Sequence, residues 1–160
     1  MILNSNDIKN KVMHYLRFKR DYSLIATEVG KKKKNFADVL ATNFKEIVEI
    51  EVKISSSDLN NDFKKEKHAR YANPRTQYTP NKFYFAVPEH LKDKALDLTK
   101  GTSYGVMIVS EKPLKGFTKE SYISIAKNAI KLKDRYCRKL EKEILMRSTS
   151  ELIRLRIKYL

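Results

Sequence analysis

Apolar residues recur along the chain with two different periods, and the changes from one period to the other mark its elements. From about residue 6 to residue 20, Ile8, Val12, Tyr15 and Leu16 fall at helical spacing among Lys and Arg, with Asn6 or Asp7 available as N-cap. An amphipathic helix covering one face of a sheet is expected there. Residues 22–29 and 36–42 are rich in strand formers and flank the turn signal of residues 30–35, which predicts a hairpin. After a short turn at residues 43–45, the stretch 46–53 alternates. It sets Val48, Ile50 and Val52 on one face and Glu49, Glu51 and Lys53 on the other, as in a half-buried strand.

Ser55 to Asp58 is a cap-rich break, and from Asp58 to about Tyr71 the pattern is a polar helix dense in Lys and Arg. Pro and Asn make residues 73–81 a loop. Two continuous apolar runs follow, at 82–87 and 104–109, separated by a short helical stretch through Leu91, Ala95 and Leu96. Such runs are typical of buried parallel strands joined by a crossover. From Thr118 onward, Tyr122, Ala126, Ala129, Leu132, Tyr136, Leu140 and Ile144 make a stripe that predicts one long helix, or two with a break near residues 148–150. The expected fold class is α/β, a mixed sheet flanked by helices. Residues 1–111 form the main domain, and residues 112–160 form a basic helical extension packed on the core or projecting from it.

Composition narrows the class. A chain of 160 residues with 41% hydrophobic content can bury one compact core, and 4 Gly with 4 Pro argue against linkers and repeats as the main architecture. The single Cys137 excludes a disulfide framework and reads as a buried residue of the terminal helix, which fits a reducing cytoplasm, bacterial or that of a phage host. No apolar stretch reaches the roughly 18 residues of a membrane span, so no membrane is expected. The net charge of +15 produces a field that attracts polyanions. DNA is the expected partner, with RNA left open. A lysine-rich solvated surface explains the same charge.

The chemistry lies in the hairpin and the alternating strand. Phosphodiester hydrolysis needs an activated hydroxide and stabilisation of charge on the phosphorane and leaving oxygen, and a hard cation held by carboxylates supplies both. Asp38 on one strand and Glu51 on its antiparallel neighbour, about 5 Å away, would hold one metal between them. Lys53 emerges on the face of Glu51, where its ammonium would orient the water or stabilise developing charge.

Asp38, twelve intervening residues and then Glu51-Val52-Lys53 resemble the PD-(D/E)xK arrangement of restriction-endonuclease-like nucleases. The expected element order is similar to that fold's α-β-β-β-α-β core. A closer resemblance is to the MmcB-like family of DNA-repair proteins in that superfamily. It is carried by Ala37-Asp38-Val39-Leu40-Ala41, the run from Val48 to Lys53, Ser55, Asp58, Asp62, Lys64 and the run from Phe83 to Pro88. The resemblance implies a Mg²⁺- or Mn²⁺-dependent nuclease in which Asp38 and Glu51 bind the metal, Lys53 serves the water, and Glu28 is a further ligand. The chain departs from the family at Phe36, where relatives carry arginine, in lacking Trp, and in the loop between Pro74 and Asn81. These departures bear on substrate preference.

Each feature also has a plainer reading. Glu49, Glu51 and Lys53 would equally make a solvated sheet face with cross-strand ion pairs. Lys64, Lys65, Lys67 and Arg70 are positioned to meet phosphates, or are simply solvated. Tyr71 and Tyr78 would stack on unpaired bases, or pack. Lys31 to Lys34 would contact a DNA backbone, or form a solvated turn. The alternatives to a nuclease are a catalytically silent nucleic-acid-binding accessory of the same fold and a homodimer formed through the C-terminal helix.

Overall fold

The computed structural model describes residues 3–30, 37–73, 77–113 and 121–159. Lys31 to Lys34, Phe36, Pro74 and Thr118, each used in the sequence reading, lie outside them. The chain opens with helix α1 (Ser5–Lys19), whose N-cap is Asn4. Asn4 Oδ1 accepts from the Asp7 N–H at 2.9 Å while Asp7 Oδ2 accepts from the Asn4 N–H at 3.0 Å, a reciprocal capping box. The cap is thus Asn4 in place of the expected Asn6 or Asp7, and Asp7 serves at the third helical position.

Strands β1 (Leu24–Val29), β2 (Ala37–Thr42) and β3 (Ile47–Val52) form an antiparallel meander. Helices α2 (Ser56–Asp62) and α3 (Glu66–Ala72) cross to β4 (Lys82–Pro88), which pairs parallel to β3. A single 3₁₀ turn and α4 (Lys92–Thr99) lead to β5 (Gly105–Val109), parallel to β4. β6 (Ile123–Lys127) returns antiparallel on β5, and α5 (Arg138–Lys158) closes the chain. Strand order in the sheet is the order in sequence. The fold is α/β with a six-stranded mixed sheet, flanking helices and a C-terminal helix, and α1 to β4 supply the expected α-β-β-β-α-β order.

Both faces of the sheet are covered. α1 buries Ile8, Val12 and Leu16 against Val39, Ala41, Val48, Ile50 and Val52. On the second face α2, α3 and α4 lie over Phe83, Phe85, Val106 and Ile108, and the start of α5 lies over Ala26, Leu40 and Ile47. β3 is therefore buried at every residue, and its polar face with it, where alternation alone predicts a half-buried strand. Alternation shows which residues share a face; the helices that later cover the face are remote in sequence.

Two expected helices differ. The polar helix from Asp58 to Tyr71 is broken into α2 and α3 around Phe63 to Lys65. The stripe read as helix from Thr118 contains β6, because Ile123 and Ile125 alternate with Tyr122, Ser124 and Ala126, a period of two that also satisfies part of a helical template. Sheet pairing thus continues beyond residue 111, and α5 runs unbroken through Ser148 to Ser150. Cys137 is half-buried at the N-cap of α5, with its Sγ 3.0 Å from the Gln77 carbonyl oxygen.

Candidate active site

The ladders around Asp38 are interrupted on both sides. In the β1–β2 pair Thr27 faces Val39 and Val29 faces Ala37, which sets Glu28 opposite Asp38 without a ladder pairing between them. Glu28 has φ of 51°, a left-handed conformation that costs a side-chain-bearing residue about 1–3 kcal/mol. In the β2–β3 pair the ladder ends at Val39 and Ile50, and one further step of its register brings Asp38 to Glu51. There the Val52 N–H donates to Asp38 Oδ2 at 2.8 Å, so a side-chain oxygen takes a backbone donor of β3.

Lys9 of α1 meets the acids at this interruption. Its ammonium pairs with Glu28 and lies 3.6 Å from Asp38 Oδ1. Burial alone would lower the pKa of Lys9, but Glu28 and Asp38 outweigh it and raise the value. Two carboxylates opposite each other on neighbouring strands repel, and Lys9 offsets that repulsion. Nothing in the motif pointed to Lys9; it lies on the rim of the α1 stripe, one residue after Ile8.

Glu49, Glu51 and Lys53 do share a face, the one that continues into Phe83 and Phe85 of β4. Instead of facing solvent they meet α2 and α3. Lys67 Nζ donates to Glu49 Oε1 at 3.0 Å and also to Glu51 Oε1, and the Tyr71 hydroxyl donates to Glu49 Oε2. Lys53 Nζ lies 2.8 Å from Asp62 Oδ1, 3.5 Å from Glu51 Oε2 and 3.7 Å from Asp58. Asp62 in turn is 2.5 Å from Lys65 and 2.7 Å from His68 Nε2, while His68 Nδ1 is 2.7 Å from the Tyr104 hydroxyl. The cations reach Asp62 Oδ1 at angles that make ion pairs without aligned hydrogen bonds.

The break between α2 and α3 produces this arrangement. Asp62 and His68 are six residues apart, and on one continuous helix they would point about 120° from each other. The turn at Phe63 to Lys65 brings their side chains into contact. Burial by itself would raise the Asp62 carboxyl; His68, Lys53 and Lys65 outweigh that and hold it well below the usual carboxylate range. For Lys53, burial lowers the pKa and Asp62, Asp58 and Asp38 more than restore it, so the ammonium is retained.

The four expected phosphate-facing cations separate. Lys64 is exposed, near the Asn61 side chain at 3.4 Å, and Lys65 is partly exposed beside Asp62. Arg70 is half-buried. Lys67 corrects the expectation: its side chain is 4% exposed and is committed to Glu49 and Glu51. The signal was present in its position one helical turn before Tyr71, which places both on the covered side of α3.

As cation ligands, Asp38 and Glu51 each use one oxygen structurally, on the Val52 N–H and on Lys67, and leave the other with a lysine 3.5–3.6 Å away. Two hard oxygens of this kind suit Mg²⁺, which keeps several of its waters. Among the described residues no group of three or more His, Cys, Asp and Glu side chains converges. Glu28 is tied to Lys9.

No protein-family model matches the chain, and no curated protein matches it. Among solved structures it is similar to a protein of unknown function from Silicibacter pomeroyi, at 16% identity and a TM-score of 0.62, over 96% of this chain and 90% of that one. At that identity the likeness concerns the fold. Among the described residues no helix is long and apolar enough to cross a membrane.

Proposed function

We propose that the chain is a divalent-metal-dependent nuclease acting on DNA, with Asp38 and Glu51 as metal ligands and Lys53 as the cation at the reacting phosphate. The observation that carries this reading is the pair of half-committed carboxylates at the point where the β2–β3 ladder opens, with Lys53 beside Glu51. A bound Mg²⁺ or Mn²⁺ would supply a hydroxide at neutral pH and neutralise charge on the phosphate. The chain's own groups do the remaining work. Lys53, kept charged by Asp62, stabilises the developing negative charge; because its ammonium keeps its proton it has no lone pair to act as general base. Val52 orients Asp38 through its N–H, and Lys67 orients Glu51. Lys64, on the exposed side of the α2–α3 turn, would meet the nucleic-acid backbone, while Lys65 beside it is paired with Asp62.

A catalytically silent nucleic-acid-binding protein of the same fold is the second reading, favoured by the ammonium of Lys67 on a Glu51 side chain that is only 2% exposed. Incubation of the protein with labelled single-stranded, duplex and branched DNA in Mg²⁺, in Mn²⁺ and in chelator separates the two. Cutting that requires the metal supports the nuclease; DNA binding without cutting in any condition supports the silent form.

A further inference from the structure

A cavity of about 260 Å³ lies next to the candidate active site. Its apolar surface comes from Val29, Ala37 and Leu40 of the hairpin and from Leu140 in the first turn of α5. Polar groups enter from α3 and β3, where Arg70, Tyr71 and Lys67 stand beside Glu49, and half-buried Tyr78 completes the lining with Glu143. Among the described residues two acids, Glu49 and Glu143, and two bases, Lys67 and Arg70, line the cavity. A free phosphate gains little from such a lining, whereas a flat neutral heterocycle can lay its faces on the apolar surface and present its edge toward Arg70.

The cavity and the candidate site share a side chain. Lys67 Nζ bonds Glu49 Oε1, an atom of the cavity lining residue, at 3.0 Å, and the same ammonium bonds Glu51. A group seated in the cavity is therefore one lysine away from the proposed metal ligand. At about 260 Å³ the cavity is a little smaller than the roughly 300–1,000 Å³ of drug-sized ligand sites, which suits a single ring system rather than a larger ligand. Bases in a duplex are stacked and paired, and reach a concave pocket only when unpaired or flipped out.

We propose that this cavity receives one unpaired nucleobase of the strand whose backbone passes Asp38 and Glu51, so that the preferred substrate carries an unpaired nucleotide at the site. The proposal rests on the nuclease reading for the presence of the strand and adds the substrate class. Tyr78 supplies a stacking surface that tolerates any base, and the guanidinium of Arg70 carries five N–H groups at the edge of the same lining, while Glu49 stays committed to Lys67 and Tyr71.

Fluorescence anisotropy of the full chain in chelator tests it, with three labelled oligonucleotides of equal length: a single strand, its blunt duplex, and a single strand whose central nucleotides lack bases. The base-bearing single strand is expected to bind about tenfold more tightly than the abasic strand. Leu140→Trp, which fills the cavity, and Tyr78→Ala, which removes the stacking ring, are each expected to bring the base-bearing strand to the affinity of the abasic one. Equal binding of both strands by the parent protein overturns the proposal, as does a retained preference in the folded variants. If Leu140→Trp melts early, Tyr78→Ala decides. The readout does not involve cutting. Base preference without metal-dependent cleavage overturns the nuclease reading and leaves the pocket, and cleavage without base preference overturns the pocket alone.

Discussion

Asp62 has no exposed side-chain surface, yet it gathers Lys53, Lys65 and His68 around one carboxylate. Neutralising it takes the nearest carboxylate from the Lys53 ammonium, whose side chain is 5% exposed, leaving Glu51 at 3.5 Å and Asp58 at 3.7 Å, and breaking a buried pair of this kind costs about 3–5 kcal/mol. Asp62→Asn is expected to lose that much in urea unfolding at pH 7. The pH dependence follows from the direction of the shift. A carboxyl held below its unfolded value of about 3.9 stabilises the fold above that pH, and the stabilisation is lost as pH falls through the lower folded value. The difference between parent and Asp62→Asn should therefore be full near neutrality and shrink only in strong acid. A difference that grows as the solution is acidified contradicts the assignment. The motif letters marked Asp38, Glu51 and Lys53, but their partners Lys9, Asp62, Lys67 and Tyr71 were not legible as such. A lysine among many lysines has no sequence signature of burial until the helix covering it is known.

At the scale of elements, α5 does more than extend the chain. β1 is an edge strand, and α5 supplies side-chain donors to its carbonyls: Ser148 Oγ to Ile25 O at 2.8 Å and Arg147 Nε to Thr27 O at 3.0 Å. Glu151 accepts from the Thr27 hydroxyl at 2.8 Å. An open edge is thereby closed to other strands. Beyond Glu151 the helix carries exposed Leu152, Ile153, Leu155 and Ile157, so its contribution to stability ends there. Ile144→Ala is expected to destabilise by about 2–5 kcal/mol, and Leu152→Ala to stay within about 0.5 kcal/mol of the parent, measured by thermal or urea unfolding. Equal effects would show that the two halves of α5 are packed alike. Strands β1 to β5 were readable because each carries strand formers or a continuous apolar run. β6 was not, since its five residues of alternation merged with Ala129, Leu132 and Tyr136 into a helical stripe although the helix itself begins only at Arg138, and the α2–α3 break was hidden because the Asp62 to His68 contact that accompanies it is tertiary.

The whole molecule is strongly basic, and its buried site consumes few of those charges: Lys53 and Lys67 are internally paired, while Lys64 remains at the surface. Nucleic-acid binding is therefore expected to weaken steeply with salt, because each phosphate contact releases counterions. Lys64→Ala should lower the log–log salt slope by about one, and Lys67→Ala should change stability more than slope. An unchanged slope for Lys64→Ala removes that lysine from the interface. The positive field was evident from composition; which lysines project it required the structure.

Lys53→Ala is a poor probe of chemistry here, because it leaves Asp62 and Glu51 buried without their shared cation. Asp38→Asn is cleaner: it keeps an acceptor oxygen for the Val52 N–H and removes the charge, with an NH₂ in place of the oxygen near Lys9. The most direct measurement is DNA cleavage in Mg²⁺ by the parent and by Asp38→Asn at matched melting temperature. The account predicts metal-dependent cutting by the parent and none by the variant. Equal cutting by the two proteins would contradict it.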